Sequence, residues 1–371
     1  MSRTGTRSRL GRGVPRSGLA RAAGILGAAV GVAAAGVAAG LAAERAVVRR
    51  AKSVPDDPYA EEDFGELPYD SACTVETADG TDIHVEVVEV SDPTAPSRPT
   101  VVFVHGFCLD MGTFHFQRKA VAAHGQHRML FYDQPGHGRS GKLESGEYEL
   151  PALGETLRSV IDHLVPEGPL VLVGHSMGGM TIMAFAERYP EMFDSRVVGT
   201  VLMATSGGLL EETKIGLPAI IGRIGTPLLP LVNNATKLTG GMIDRARKAS
   251  ANMAWLLTRR YGFGTSNPSP ALVSYVERMN AGTTAETVAR YLRTLYTHAR
   301  YPALSALKNT PVLVIVGDQD MITPVTHSEE ILRRLPDAEY VKVPDGGHVV
   351  MLEHADEVNA ALLGFLDRLA R

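Results

Sequence analysis

Gly174-His175-Ser176-Met177-Gly178 sets a serine between two glycines at the junction of two apolar patterns. Pro169-Leu170-Val171-Leu172-Val173 reads as a buried strand, and Met180 to Tyr189 continues with helical periodicity. A serine at so sharp a strand-to-helix turn takes a strained backbone conformation, and the crowded chain beside it demands glycine at the flanks. Its hydroxyl then stands above a sheet edge, beside the N–H groups of a helix N-terminus. Such a serine is suited to attack a carbonyl carbon. It is a weak nucleophile until a base takes its proton, and that base needs an acid to orient it. Downstream, Gly317-Asp318-Gln319-Asp320-Met321-Ile322-Thr323-Pro324 follows one apolar run, and Pro344-Asp345-Gly346-Gly347-His348 follows the next. Asp318 and Asp320 are the candidate acids, and His327, His348 and His354 the candidate bases. The Gly-Gly-His loop directly after a strand favours His348.

The elements that must hold these groups alternate between strand and helix. Ala72–Glu76 and Ile83–Val90 read as a strand pair around the Asp79-Gly80 turn. Thr100–Val104, Arg128–Tyr132, Val197–Met203, Pro311–Val316 and Glu339–Val343 are further strands. Helical patterns fall near Gly112–Ala123, Leu153–Leu164, Ser328–Leu335 and Ala355–Leu369. This alternation predicts an α/β fold with a mostly parallel central sheet covered by helices on both faces. About a hundred residues separate Thr205 from Asn309, far more than one crossover helix needs. They include the apolar run Ile215–Val232, a segment around Met242–Tyr261, and amphipathic stretches near Pro270–Met279 and Thr284–His298. The interval reads as a helical cap inserted above the carboxyl edge of the sheet.

Taken together, His105-Gly106-Phe107, Asp133-Gln134-Pro135-Gly136-His137-Gly138-Arg139-Ser140, Gly174–Gly178, Gly317–Pro324 and Gly346–His348 resemble the α/β-hydrolase fold family. The resemblance covers residues 70–371, with the cap matched in position and helical character only. It implies Ser176 as nucleophile, Asp320 as acid and His348 as base. It also implies an oxyanion hole from the backbone N–H groups of Phe107 and Met177, typically worth about 3 kcal/mol each. The family's acid lies four residues before the proline, which selects Asp320 over Asp318. His105 is expected to brace the oxyanion loop through hydrogen bonds. Asp133 and its glycine-rich turn shape a neighbouring loop, and His175 is expected to pack under the cap. Cys108 adjoins the oxyanion residue without a strand-to-helix elbow around it, which argues against it as a nucleophile.

The chain has 371 residues, 44% hydrophobic and 21% charged, with a formal net charge of −4, so no electrostatic footprint for nucleic acid is present. Cys73 and Cys108 have no metal-ligand spacing and read as free, partly buried thiols. No dinucleotide fingerprint or metal-ligand cluster is visible, and the chemistry requires no cofactor. Residues 1–21 carry Arg3, Arg7, Arg9, Arg12, Arg16 and Arg21 without an acid and are expected to be disordered. Residues 22–43 are free of charge, though rich in Ala and Gly, and read as a transmembrane helix, with a cleaved export signal or a soluble leader as alternatives. Arg45, Arg49, Arg50 and Lys52 follow. The slight excess of basic residues ahead of the span favours a cytoplasmic N-terminus and an extracytoplasmic catalytic domain. The organisation expected is therefore a basic N-terminus (1–21), a membrane span (22–43), a linker (44–69), a hydrolase core in two parts (70–204 and 310–371) and the cap (205–309).

The expected activity is that of a serine hydrolase cleaving carboxylic ester or related acyl bonds of a small, hydrophobic acyl substrate. Thioesterase, carbon–carbon hydrolase, amidase and cofactor-free peroxidase activities use the same groups, and a non-catalytic, membrane-tethered binding protein is the alternative of another class. Epoxide hydrolases and haloalkane dehalogenases of this fold need an acid at the elbow, so Ser176 argues against both.

Overall fold

The structure, a computed structural model, describes residues 45–90, 98–208 and 240–369, with side chains 240–250 left aside. The chain divides into a segment of residues 1–51 and a unit of residues 52–371. Of the first segment only 45–51 are described, as helix. No helix among the described residues is long and apolar enough to cross a membrane. The expected span at 22–43, the basic stretch 1–21 and the apolar run 215–232 lie outside the described residues.

Eight strands form one sheet: β1 (Ser71–Glu76), β2 (Asp82–Val88), β3 (Thr100–Val104), β4 (Met129–Tyr132), β5 (Leu170–His175), β6 (Val197–Met203), β7 (Val312–Gly317) and β8 (Glu339–Val343). Their spatial order is β1-β2-β4-β3-β5-β6-β7-β8. β2 runs antiparallel to β1 and β4, and every other pairing is parallel. Parallel strands need helical crossovers, which cover both faces and make the central strands apolar throughout. Every residue of β3, β4, β5 and β7 is accordingly buried, whereas the edge strands β1 and β8 are largely exposed.

The crossover helices are α1 (His115–His124), α2 (Leu150–Leu164), α3 (Met177–Arg188), α4 (Glu191–Ser195) and α8 (Val325–Arg334), and α9 (Val350–Glu353) and α10 (Ala355–Leu369) follow the last strand. Between β6 and β7 lie α5 (Gly240–Gly262), α6 (Pro270–Gly282) and α7 (Ala285–Thr297), in the interval expected to form a cap. Ser269 and Thr284 cap the last two, accepting the N–H groups of Leu272 and Thr287. Buried side chains of β2, β4, β5 and β7 pack with Leu157, Ile161, Ile182 and Phe185 of α2 and α3 into one apolar core.

Chain direction across the sheet reverses at β3, which lies between β4 and β5. At such a switch point the loops leaving adjacent parallel strands diverge and open a crevice beyond their carboxyl ends. Register pairs Val104 of β3 with Gly174 of β5, so the 105–110 loop and the Ser176 turn leave the sheet at the same level. The fold thus brings the two motifs of this crevice together by strand register alone.

Candidate active site

Ser176 sits between β5 and α3 with φ 53° and ψ −117°. A non-glycine residue in that region is strained and persists only where its surroundings over-determine it. Four hydrogen bonds hold its backbone: its N–H donates to Met203 O at 3.0 Å, and its carbonyl accepts from Gly179 N–H at 3.0 Å, from Met180 N–H at 3.2 Å and from the Thr205 hydroxyl at 2.7 Å. The flanking glycines are required sterically. A Cβ at Gly174 would stand 2.7 Å from the backbone of Gly178, and one at Gly178 would stand 1.9 Å from Val104 O.

His348 lies on the loop between β8 and α9, with Nε2 3.0 Å from Ser176 Oγ. Its Nδ1 faces Asp320, 2.9 Å from Oδ2 and 3.2 Å from Oδ1. In this tautomer Nδ1–H donates to the carboxylate and Nε2 accepts the serine proton. Asp320 is oriented by the N–H groups of Ile322 and Thr323, which donate to Oδ1 at 2.8 and 2.9 Å. The Thr323 hydroxyl sits 2.9 Å from Oδ2 and 2.8 Å from Ala204 O. All three residues are buried to at least nine-tenths of their surface. Asp318 is exposed. Of the other histidines, His327 pairs with Ser206 Oγ at 2.9 Å and lies near Tyr301 OH at 3.3 Å. His354 accepts Val358 N–H at the start of α10 through its backbone. Neither contacts Ser176.

The 105–110 loop is braced by buried polar groups. His105 Nδ1–H donates to Gly106 O at 2.8 Å, and its Nε2 accepts Gln134 N–H at 2.8 Å. A peptide unit is planar, so fixing Gly106 O also fixes the direction of Phe107 N–H. His137 accepts Cys108 N–H at 3.1 Å and donates Nδ1–H to Pro135 O at 3.0 Å, pinning the next peptide unit. Each histidine needs its neutral tautomer for this work. Burial holds His105 down at about 4 and His137 at about 3. The N–H groups of Phe107 and Met177 are the two implied oxyanion donors; among the described residues neither enters a turn or loop hydrogen bond. Asp133 shapes the adjoining turn by accepting Met111 N–H at 2.9 Å and Arg139 N–H at 2.8 Å. Burial pushes the Cys108 thiol up to about 12, so it stays protonated at neutral pH.

His175 packs in the interior, and it also contacts the loop that carries His348. It is completely buried, and its Nε2–H donates to His348 O at 2.9 Å. Burial keeps its imidazole well below the ordinary histidine range, hence neutral. Nothing local announces this contact, which joins residues 173 positions apart.

A cavity of about 320 Å³ opens over Ser176 and His348. Phe107, Leu109 and Met180 line it from the core side, and Leu257, Val276 and Leu292 from α5, α6 and α7. Its described walls are predominantly apolar, so a bound acyl chain would leave water there. A more polar cavity of about 500 Å³, bordered by Glu86, Asp110, Arg118 and Arg139, contains none of Ser176, Asp320 and His348. Among the described residues no group of three or more His, Cys, Asp or Glu side chains could hold a metal ion, and both cysteines are free thiols.

The chain is similar to known proteins in sequence and in fold. The chain is 31% identical over 276 residues to a dihydrolipoyllysine-residue acetyltransferase component of the acetoin cleaving system of Pseudomonas putida, covering 72% of this chain and 63% of that protein. It therefore spans less than two thirds of that relative. It is 27% identical over 269 residues to an sn-1-specific diacylglycerol lipase of Mus musculus, covering 72% of this chain and 81% of the lipase. In structure it is similar to a thermophilic esterase from Thermogutta terrifontis, with a TM-score of 0.61 and 24% identity over 81% of this chain and all of the esterase. Residues 101–361 match the model of the alpha/beta hydrolase family. The matched residues include the Ser176 turn and the loops that carry Asp320 and His348, and by this match the chain belongs to the alpha/beta hydrolase family.

Proposed function

We propose that the protein is a serine hydrolase that cleaves carboxylic esters of hydrophobic acyl groups. One observation carries this reading: the chain of short contacts from Ser176 Oγ through His348 to Asp320 opens on an apolar cavity. Ser176 Oγ attacks the ester carbonyl carbon while His348 Nε2 takes its proton. Negative charge gathers on the carbonyl oxygen, where the N–H groups of Phe107 and Met177 receive it. His348 passes its proton to the departing alkoxide, leaving an acyl-enzyme. Water then gives a proton to His348 and attacks the acyl carbon, and the carboxylic acid departs with Ser176 restored. Asp320 keeps the tautomer and stabilises the imidazolium at both stages.

The likeness to a diacylglycerol lipase supports an acyl ester as the substrate. Thioesters, amides and activated carbon–carbon bonds react through the same groups, and α5 to α7, acting as a cap, set the choice among them. Residues 22–43 would tether the domain to a membrane with its catalytic part outside the cytoplasm. Protection of the domain from protease on intact cells would overturn that orientation. A panel of p-nitrophenyl acyl esters from short to long chains tests the activity. Wild type is expected to turn over the panel and Ser176→Ala to lose at least about 10³-fold in kcat. Full activity in Ser176→Ala would overturn the mechanism.

A further inference from the structure

Glu353 ends α9, shortly after His348 in the chain, and its carboxylate gathers N–H groups from two separate segments. Oε1 accepts Gly264 N–H at 3.0 Å and Thr265 N–H at 2.9 Å. Oε2 accepts Gly347 N–H at 2.7 Å and shares the Gly264 N–H at 3.0 Å. Gly347 immediately precedes His348 in the chain. Gly264 and Thr265 lie two and three residues beyond the end of α5, whose last turns supply Leu257, Thr258 and Tyr261 to the cavity wall. The two backbones also touch directly: Val349 N–H donates to Gly262 O at 3.0 Å, and a Cβ at Gly347 would stand 2.4 Å from Gly264 N. Backbone packed this closely has no room for a side chain between the segments, so a carboxylate at their margin is what satisfies N–H groups on both. Bonds to an ionised acceptor are the stronger and shorter kind. On its other side His348 is held by His175, through the carbonyl contact described above.

We propose that Glu353 is a positioning residue that fixes the His348 imidazole and the α5 wall of the cavity relative to one another. The proposal rests on Ser176 being the nucleophile. A base displaced by about 1 Å costs on the order of 10²-fold in rate. A shifted α5 wall changes the room for an acyl chain without changing the chemistry. Loss of the carboxylate therefore lowers kcat for every ester and raises KM most for the long ones.

The test compares wild type with E353Q, which keeps the side-chain shape but turns an amide NH2 toward N–H donors. The readouts are kcat and KM over the p-nitrophenyl ester series, the rate of Ser176 labelling by a fluorophosphonate, and the melting midpoint. The expected result is a folded E353Q with kcat and labelling rate down about 10- to 100-fold and a chain-length-dependent rise in KM. Glu353→Asp keeps the charge on a shorter arm and should fall between the two. Either variant with wild-type kcat and labelling rate, whatever its melting midpoint, overturns the assignment of Glu353 alone. Failure of wild type to label at Ser176 overturns the nucleophile, and the Glu353 proposal with it.

Discussion

Replacing His105 tests whether the oxyanion loop works through the orientation of one peptide unit. Its two ring nitrogens serve different partners: Nδ1–H donates to Gly106 O and Nε2 accepts Gln134 N–H, each at 2.8 Å. Asparagine reaches the position of Nδ1 and glutamine that of Nε2, so His105→Asn keeps the first bond and His105→Gln the second. In His105→Asn the Gln134 N–H is left without an acceptor in a site with no solvent exposure, at a cost of about 1–3 kcal/mol. In His105→Gln the freed group is Gly106 O, which still accepts Leu109 N–H at 3.3 Å, so the loss of stability is smaller. Activity should follow the opposite order. Only His105→Gln loses the shorter of the two bonds that hold the peptide aiming Phe107 N–H, and removing an oxyanion donor outright costs about 10²–10³-fold in kcat. A fall of about 10²-fold is expected for His105→Gln and less than about 10-fold for His105→Asn, with KM little changed in both. Urea unfolding and p-nitrophenyl ester kinetics on both variants read the two scales. If the more stable variant were also the more active one, the peptide-orientation argument would be refuted.

Gly178→Ala should destabilise the fold by about 3 kcal/mol or more, because the added Cβ meets Val104 O at 1.9 Å and no rotamer change relieves a backbone clash. A melting midpoint equal to that of wild type would contradict the elbow geometry. Acid should also destabilise the protein. His105, His137 and His175 have folded values lowered by burial from 6.5, so the unfolded chain binds more protons as pH falls below that value. Stability is then complete above about pH 6.5 and declines as pH drops toward the folded values near 4 and 3, His105 alone contributing about 3 kcal/mol. Urea midpoints at pH 7.5, 5.5 and 4.5 check this, and a midpoint that stayed flat or rose on acidification would show these imidazoles to be poorly buried.

What could be read from the sequence were features whose causes are local. Thr100–Val104, Leu170–His175 and Val312–Gly317 are apolar because a central parallel strand is covered on both faces, and that composition needs no knowledge of neighbours. The same holds for the Ser176 turn, whose two glycines announce a crowded bend, and for Gly346-Gly347-His348 after β8. The choice of Asp320 over Asp318 rests on the family's spacing; in the fold Asp320 is buried against Thr323 and His348 while Asp318 is exposed. What escaped reading depends on contacts between distant segments. His175 meets the His348 carbonyl across 173 positions, and Glu353 joins Gly347 to residues 88 and 89 positions away. Glutamate at the end of a short helix resembles any solvated carboxylate until the segments that converge on it are known. His137 likewise reads as part of a glycine-rich turn, and its bond to Cys108 N–H emerges only when β3 and β4 lie side by side.

The central claim is that Ser176 is a nucleophile activated by His348 and Asp320. Its most direct test is intact-protein mass spectrometry after treatment with a fluorophosphonate, followed by peptide mapping of any adduct. One phosphonyl group per chain on Ser176 is expected in the folded protein, absent from Ser176→Ala and strongly slowed in His348→Ala. No adduct on folded wild type, or one carried by another residue, would contradict the account.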